Sequence, residues 1–167
     1  MCIRDSGDIV KTFQLNSGDK IPALGLGTWK MTDEEAATSV ATAINNGYRH
    51  IDGAWIYENE KGVGKGIASA ISSGSVSRDD LWVTSKLWND RHEADQVEAA
   101  LKGTLSDLAL DHLDLYLIHW PVAQKVGVAR PESVTDYVTL EHAPINATWQ
   151  AMESSVSYTH LTLPTKA

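Results

Sequence analysis

The chain has 167 residues, the length of one ordinary domain, and its 43% apolar content is enough to build a core rather than leave it disordered. A formal net charge of -8 argues against nucleic acid or an anionic membrane surface as partner, and a single cysteine, Cys2, excludes a disulfide framework and suits a reducing compartment. No apolar run approaches the ~18 residues of a membrane span, and the opening MCIRDSG lacks the apolar stretch of a signal peptide, so the expected location is cytoplasmic.

In chain order, Thr12–Leu15 and Lys20–Ala23 flank Asn16-Ser17-Gly18-Asp19 and predict a β-hairpin. Leu24–Gly27 is a short apolar run, a candidate first core strand. Thr32 followed by Glu35 is a capping box, and Ala36, Val40 and Ile44 recur on one helical face until Gly47 stops the helix. Strand and helix then alternate. Tyr48–Ile51 predicts a strand, and Val63, Ile67, Ala70 and Ile71 a helical stripe. Leu81–Ser85 predicts the next strand, followed by a helix with Val97, Leu101, Leu105 and Leu108 on one face. Leu113–Ile118 is a further strand, and Pro144 opens a helix carrying Ile145, Trp149 and Met152.

Four strand–helix units in series imply an α/β fold with a parallel sheet and right-handed crossovers. A doubly wound sheet normally has a glycine-rich phosphate turn after its first strand, and Leu24-Gly25-Leu26-Gly27-Thr28-Trp29 lacks the third glycine. Gly62-Val63-Gly64-Lys65-Gly66 follows Glu58-Asn59-Glu60-Lys61 rather than a strand. Those glycines read as close helix packing, with a nucleotide loop as the weaker alternative. A (β/α)8 barrel needs roughly 250 residues, so only half of one fits here.

Parallel strands place their C-terminal ends on one rim, where barrel enzymes build their sites. Asp52 ends the second core strand, Lys86 the third and His119 the fourth, with Tyr57 in the loop after the second. Singly, these are a helix cap, a solvated strand end, a core histidine and a packing tyrosine. Together they suit one task. A tyrosine, with an ordinary pKa of ~10, is a weak proton donor near neutral pH, and an adjacent ammonium stabilises its phenolate. A carboxylate can hold that ammonium, and a neutral imidazole can orient a carbonyl oxygen. This is a site for reducing C=O if something supplies hydride.

GYRHIDGAWIYENEKGVG, LWVTSKLWND and LDLYLIHWPV, with LGLGTWK before them and TLEHAPINATWQAME after, closely resemble the aldo-keto reductase family over roughly Phe13 to Glu153. The resemblance implies a partial (β/α)8 TIM barrel, an N-terminal hairpin plus about four β/α units, and reduction of aldehydes or ketones. It places the family's catalytic tetrad on Asp52, Tyr57, Lys86 and His119. It implies NAD(P)H as cofactor, usually NADPH, with Gly27, Thr28, Trp29 and Asp52 near the nicotinamide. Trp29, Trp88, His119 and Trp120 are the expected substrate contacts, with a small carbonyl compound as substrate and no metal. Two rivals stay open: a Schiff-base lyase using Lys86, and a cofactor-sensing binding module of the same superfamily.

The family pattern stops near Ser154-Ser155, and neither MCIRDSG nor SYTHLTLPTKA continues it. The expected organisation is therefore a foreign string at 1–7, the first half of a barrel at 8–156 and a second foreign string at 157–167. A half barrel by itself is expected to be inactive and prone to association.

Overall fold

The computed structural model describes residues 10–159. The expected string at 1–7, Cys2 included, and residues 160–167 lie outside the described residues. Strands β1 (Thr12–Gln14) and β2 (Lys20–Pro22) form the predicted antiparallel hairpin, Phe13 facing Ile21 in register. Gly18, at φ +97°, supplies the left-handed position its turn needs.

Four parallel strands follow in the spatial order β3-β4-β5-β6: β3 (Leu26–Gly27), β4 (His50–Asp52), β5 (Trp82–Leu87) and β6 (Leu115–Ile118). Helices α1 (Asp33–Asn45), α2 (Glu60–Ser72) and α3 (Ala94–Leu108) fill the crossovers, and α4 (Ile145–Thr159) follows β6. Among the described residues, no helix is long and apolar enough to cross a membrane.

All four core strands begin later than their apolar runs suggest, β5 by a single residue at Trp82. The first run spans Leu24–Gly27, yet only Leu26–Gly27 pairs and Leu24 is 62% exposed. Tyr48 is not strand because its N–H closes α1 by donating to the Ala43 carbonyl at 3.0 Å, with Gly47 donating to Ile44. That pair of bonds is a Schellman ending and delays β4 to His50. Leu113 is buried but unpaired in the sheet, and β6 begins at Leu115.

Strand alternation then sorts the side chains. Ile51, Val83, Leu87 and Tyr116 are buried in the core with Val40, Val63, Ile67, Leu101 and Met152 of the helices. Asp52, Lys86 and Leu117, at the alternate positions, share the opposite face. The capping box of α1 is present in both directions, Thr32 Oγ1 accepting from the Glu35 N–H and Glu35 returning the bond. Among the residues of α4 whose side chains are described, Thr148, Met152 and Ser155 are buried, whereas the expected Ile145 is 40% exposed. Thr148 donates its hydroxyl to the His92 carbonyl at 2.6 Å, so the inward face keeps the expected Met152 and takes Thr148 in place of Ile145.

The glycines of α2 pack rather than bind phosphate. A Cβ on Gly62 would lie 2.2 Å from the Asp33 carbonyl oxygen, and one on Gly64 2.2 Å from that of Leu108. Both obstacles are backbone and cannot swing aside. Gly64→Ala is therefore expected to destabilise by about 1–3 kcal/mol, although alanine is the better helix former by ~1 kcal/mol. Gly103→Ala in α3, where a Cβ meets nothing within 4 Å, should stabilise instead. Denaturant unfolding of the two variants side by side checks the sign of each.

Candidate active site

Three neighbouring strands bring the site together. Asp52 is the last residue of β4, opposite Gly27 of β3 and Thr84 of β5 in register. Lys86 sits one residue before the end of β5, a place inside the strand rather than at its tip. Its Nζ donates to Asp52 Oδ1 at 2.9 Å, to the Gly53 carbonyl at 2.8 Å and to the Tyr57 hydroxyl at 3.4 Å. An ammonium has three protons, and here each has an acceptor. Nζ also lies 5.0 Å from the centre of the Tyr57 ring. Only 13% of the Lys86 side chain is exposed, so water competes little for this cation, while the Asp52 carboxylate is more than a third open.

Tyr57 ends a single 3-10 turn, Trp55–Tyr57, that leaves β4 through Gly53 and Ala54. Glu58 then takes a left-handed conformation, φ 59°, so the chain reverses directly after the phenol. Buried Asn59 pins the reversal, its amide donating to the carbonyls of Thr28 at 2.7 Å and Met31 at 2.9 Å. The same residue thus ties the Tyr57 segment to the turn that carries Trp29. Thr28 is itself buried and donates its N–H to the Asp52 carbonyl at 3.1 Å. Gly27, Thr28 and Asp52 therefore meet at one point, and Trp29 stands out from it, 67% exposed and tilted against Tyr57 at 6.4 Å.

His119 follows β6 directly, its N–H bound to the Leu87 carbonyl at 3.0 Å. Its ring meets Tyr57 edge-on at 5.8 Å and Trp88 edge-on at 4.9 Å. Burial holds the imidazole below its ordinary pKa, the Lys86 ammonium adds to that, and Asp52 opposes it. The ring is accordingly neutral near pH 7, and Nδ1 is buried with no hydrogen-bond partner among the described residues.

Above these groups lies a cavity of about 470 Å3. Trp29, Tyr57, Trp88, His119 and Trp120 form most of its wall, so the four residues expected to contact substrate do share one pocket. Ile56 and Arg130 complete it, and neither stands out in the sequence. Ile56 lies between two aromatics and reads as packing. Arg130 lies in the long segment between β6 and α4, where no periodicity singles out a residue; the one available signal is that the segment leaves a rim strand. Glu60 was equally inconspicuous. Its buried carboxylate accepts the Ser85 hydroxyl at 2.6 Å on the helix side of β5, and burial pushes its pKa up.

The family model of the aldo/keto reductases matches residues 23–157. The chain belongs to the aldo/keto reductase family. It is 48% identical to an aldo/keto reductase of Synechocystis sp. over 147 residues, 88% of this chain and 45% of that protein. It is 45% identical to the NADH-dependent D-xylose reductase of Candida parapsilosis, covering 86% of this chain and 46% of the reductase. Among solved structures, an aldo-keto reductase of Bombyx mori in complex with NADP superposes with a TM-score of 0.77 at 42% identity, over 89% of this chain and 47% of that one. The fold is thus the aldo/keto reductase α/β barrel in part, and the chain spans about half the length of the relatives it matches.

Proposed function

We propose that this aldo/keto reductase chain carries the proton-handling half of a barrel that reduces aldehydes and ketones to alcohols with NAD(P)H. The observation that supports it most is the Lys86 ammonium, which bridges the Asp52 carboxylate and the Tyr57 hydroxyl with a neutral imidazole across the pocket. In this reading a carbonyl oxygen sits between the Tyr57 hydroxyl and the His119 ring. His119 donates a hydrogen bond that orients the oxygen and offsets its growing negative charge. Tyr57 passes its proton to that oxygen, and the phenolate left behind faces the Lys86 ammonium. Asp52 and the Gly53 carbonyl keep the ammonium in position.

NAD(P)H, when bound, supplies the hydride that completes the reduction at the carbonyl carbon. The residues present suit its nicotinamide end: Trp29 offers an exposed aromatic face beside Tyr57, and His119 Nδ1 is an unsatisfied buried polar atom next to it. The glycines of α2 are filled by backbone and do not suit its phosphates. We assign the phosphate contacts to a second half of the barrel, and 8–156 to the first half, with 1–7 and 157–167 as foreign strings. Relatives include an NADH-dependent enzyme and an NADP complex, so either cofactor is compatible. The substrate is a small carbonyl compound, D-xylose being one candidate from the relatives, and the setting we propose is cytoplasmic.

The Schiff-base alternative fares worse. Such a lysine must shed its proton, whereas all three protons of Lys86 are engaged by oxygen acceptors. The test is oxidation of NADPH and NADH, followed at 340 nm, by the whole barrel with D-xylose and a panel of aldehydes. Aldehyde-dependent oxidation is expected. Cofactor binding without turnover would favour a sensing module instead, and borohydride trapping of Lys86 with substrate would favour the lyase.

A further inference from the structure

Resting on the carbonyl-reductase reading, we propose that Arg130 makes this pocket select aldehydes and ketones that also carry a carboxylate. The other walls of the cavity are aromatic or apolar, apart from the Tyr57 hydroxyl and the His119 ring. The Lys86 ammonium beneath is committed to Asp52, Gly53 and Tyr57. Among the described residues, Arg130 is the cation in the lining that a ligand can reach.

Its position is fixed by the wall itself. The indole N–H of Trp88 donates to the carbonyl of Ala129 at 2.8 Å, so the backbone next to Arg130 is fastened to a pocket tryptophan. Among the described residues the guanidinium pairs with Glu58 Oε1 at 3.4 Å, and both side chains are at least 70% exposed. An exposed pair of that length is weak. A planar carboxylate that takes two guanidinium N–H groups in parallel is the better partner and can displace it. Tyr57 and Arg130 line the same cavity, so a substrate whose carbonyl reaches Tyr57 can turn its acidic end towards the guanidinium. The aromatic walls between suit a flat ring or a short extended chain.

The test compares 4-carboxybenzaldehyde with its methyl ester, equal in shape at the reacting end and different in charge. The acid-to-ester ratio of kcat/KM should fall about tenfold in Arg130→Met, chiefly through KM. Arg130→Lys should recover part of it, and Glu58→Gln should raise the ratio by freeing the guanidinium. A ratio unchanged in Arg130→Met overturns the proposal while leaving reduction itself intact. Tryptophan quenching by benzoate against benzamide reads the same preference without turnover. Arg130-dependent benzoate binding in a protein that reduces neither aldehyde would keep the anion site and remove the reductase reading; benzoate binding indifferent to Arg130 would remove the site.

Discussion

Tyr57→Phe should lower carbonyl reduction by about 10²–10⁴-fold in the whole barrel while leaving cofactor affinity nearly unchanged. The substitution deletes one oxygen and keeps the ring, so the edge contact with His119 and the tilt against Trp29 survive. The phenol proton matters only as negative charge grows on the substrate oxygen, and its loss therefore falls on kcat and kcat/KM together. Cofactor fluorescence titration beside steady-state kinetics separates the two effects. Near-parental turnover by Tyr57→Phe would remove Tyr57 as the donor and with it the mechanism proposed above.

Lys86→Met should lower reduction by about two orders of magnitude, and Asp52→Asn by clearly less. Methionine keeps most of the length of the side chain but removes the positive charge 3.4 Å from the phenol oxygen, so that the phenolate loses the cation that offsets it. It also leaves the Asp52 carboxylate and the Gly53 carbonyl without their donor. Asp52→Asn spares the ammonium, which retains the Gly53 carbonyl as acceptor and the amide oxygen in place of the carboxylate. The ranking is the test. If Asp52→Asn were as damaging as Lys86→Met, the carboxylate would have a role beyond holding the lysine.

Elements that advertise themselves locally were legible in the sequence. The capping box of Thr32 and Glu35, the helical stripes of Val63 and Ile67 or Val97 and Leu101, and the tight packing of the α2 glycines follow from residue types at short spacings. The convergence of Asp52, Lys86 and His119 was legible for another reason: parallel strands put their ends on one rim, so residues at or within one position of those ends become neighbours whatever their distance in sequence. Details decided by a distant partner were not legible. Strand starts depend on where a preceding turn spends its backbone N–H groups, as at Tyr48. The inward face of α4 depends on the His92 carbonyl, which no pattern in α4 announces. Arg130 joins the pocket because Trp88 holds its neighbour, a contact across 41 residues of chain.

The bridging lysine, its carboxylate, the phenol and the imidazole all fall between Asp52 and His119, on adjacent strands and the turns just past them. They form one contiguous block of the chain. Recombination downstream of His119 would leave their mutual distances untouched while exchanging the residues that face them. On the proposed function, such grafting would change the choice of substrate and pass the proposed acid–base groups on intact. Arg130 lies just past that block, on the first stretch such an exchange would replace.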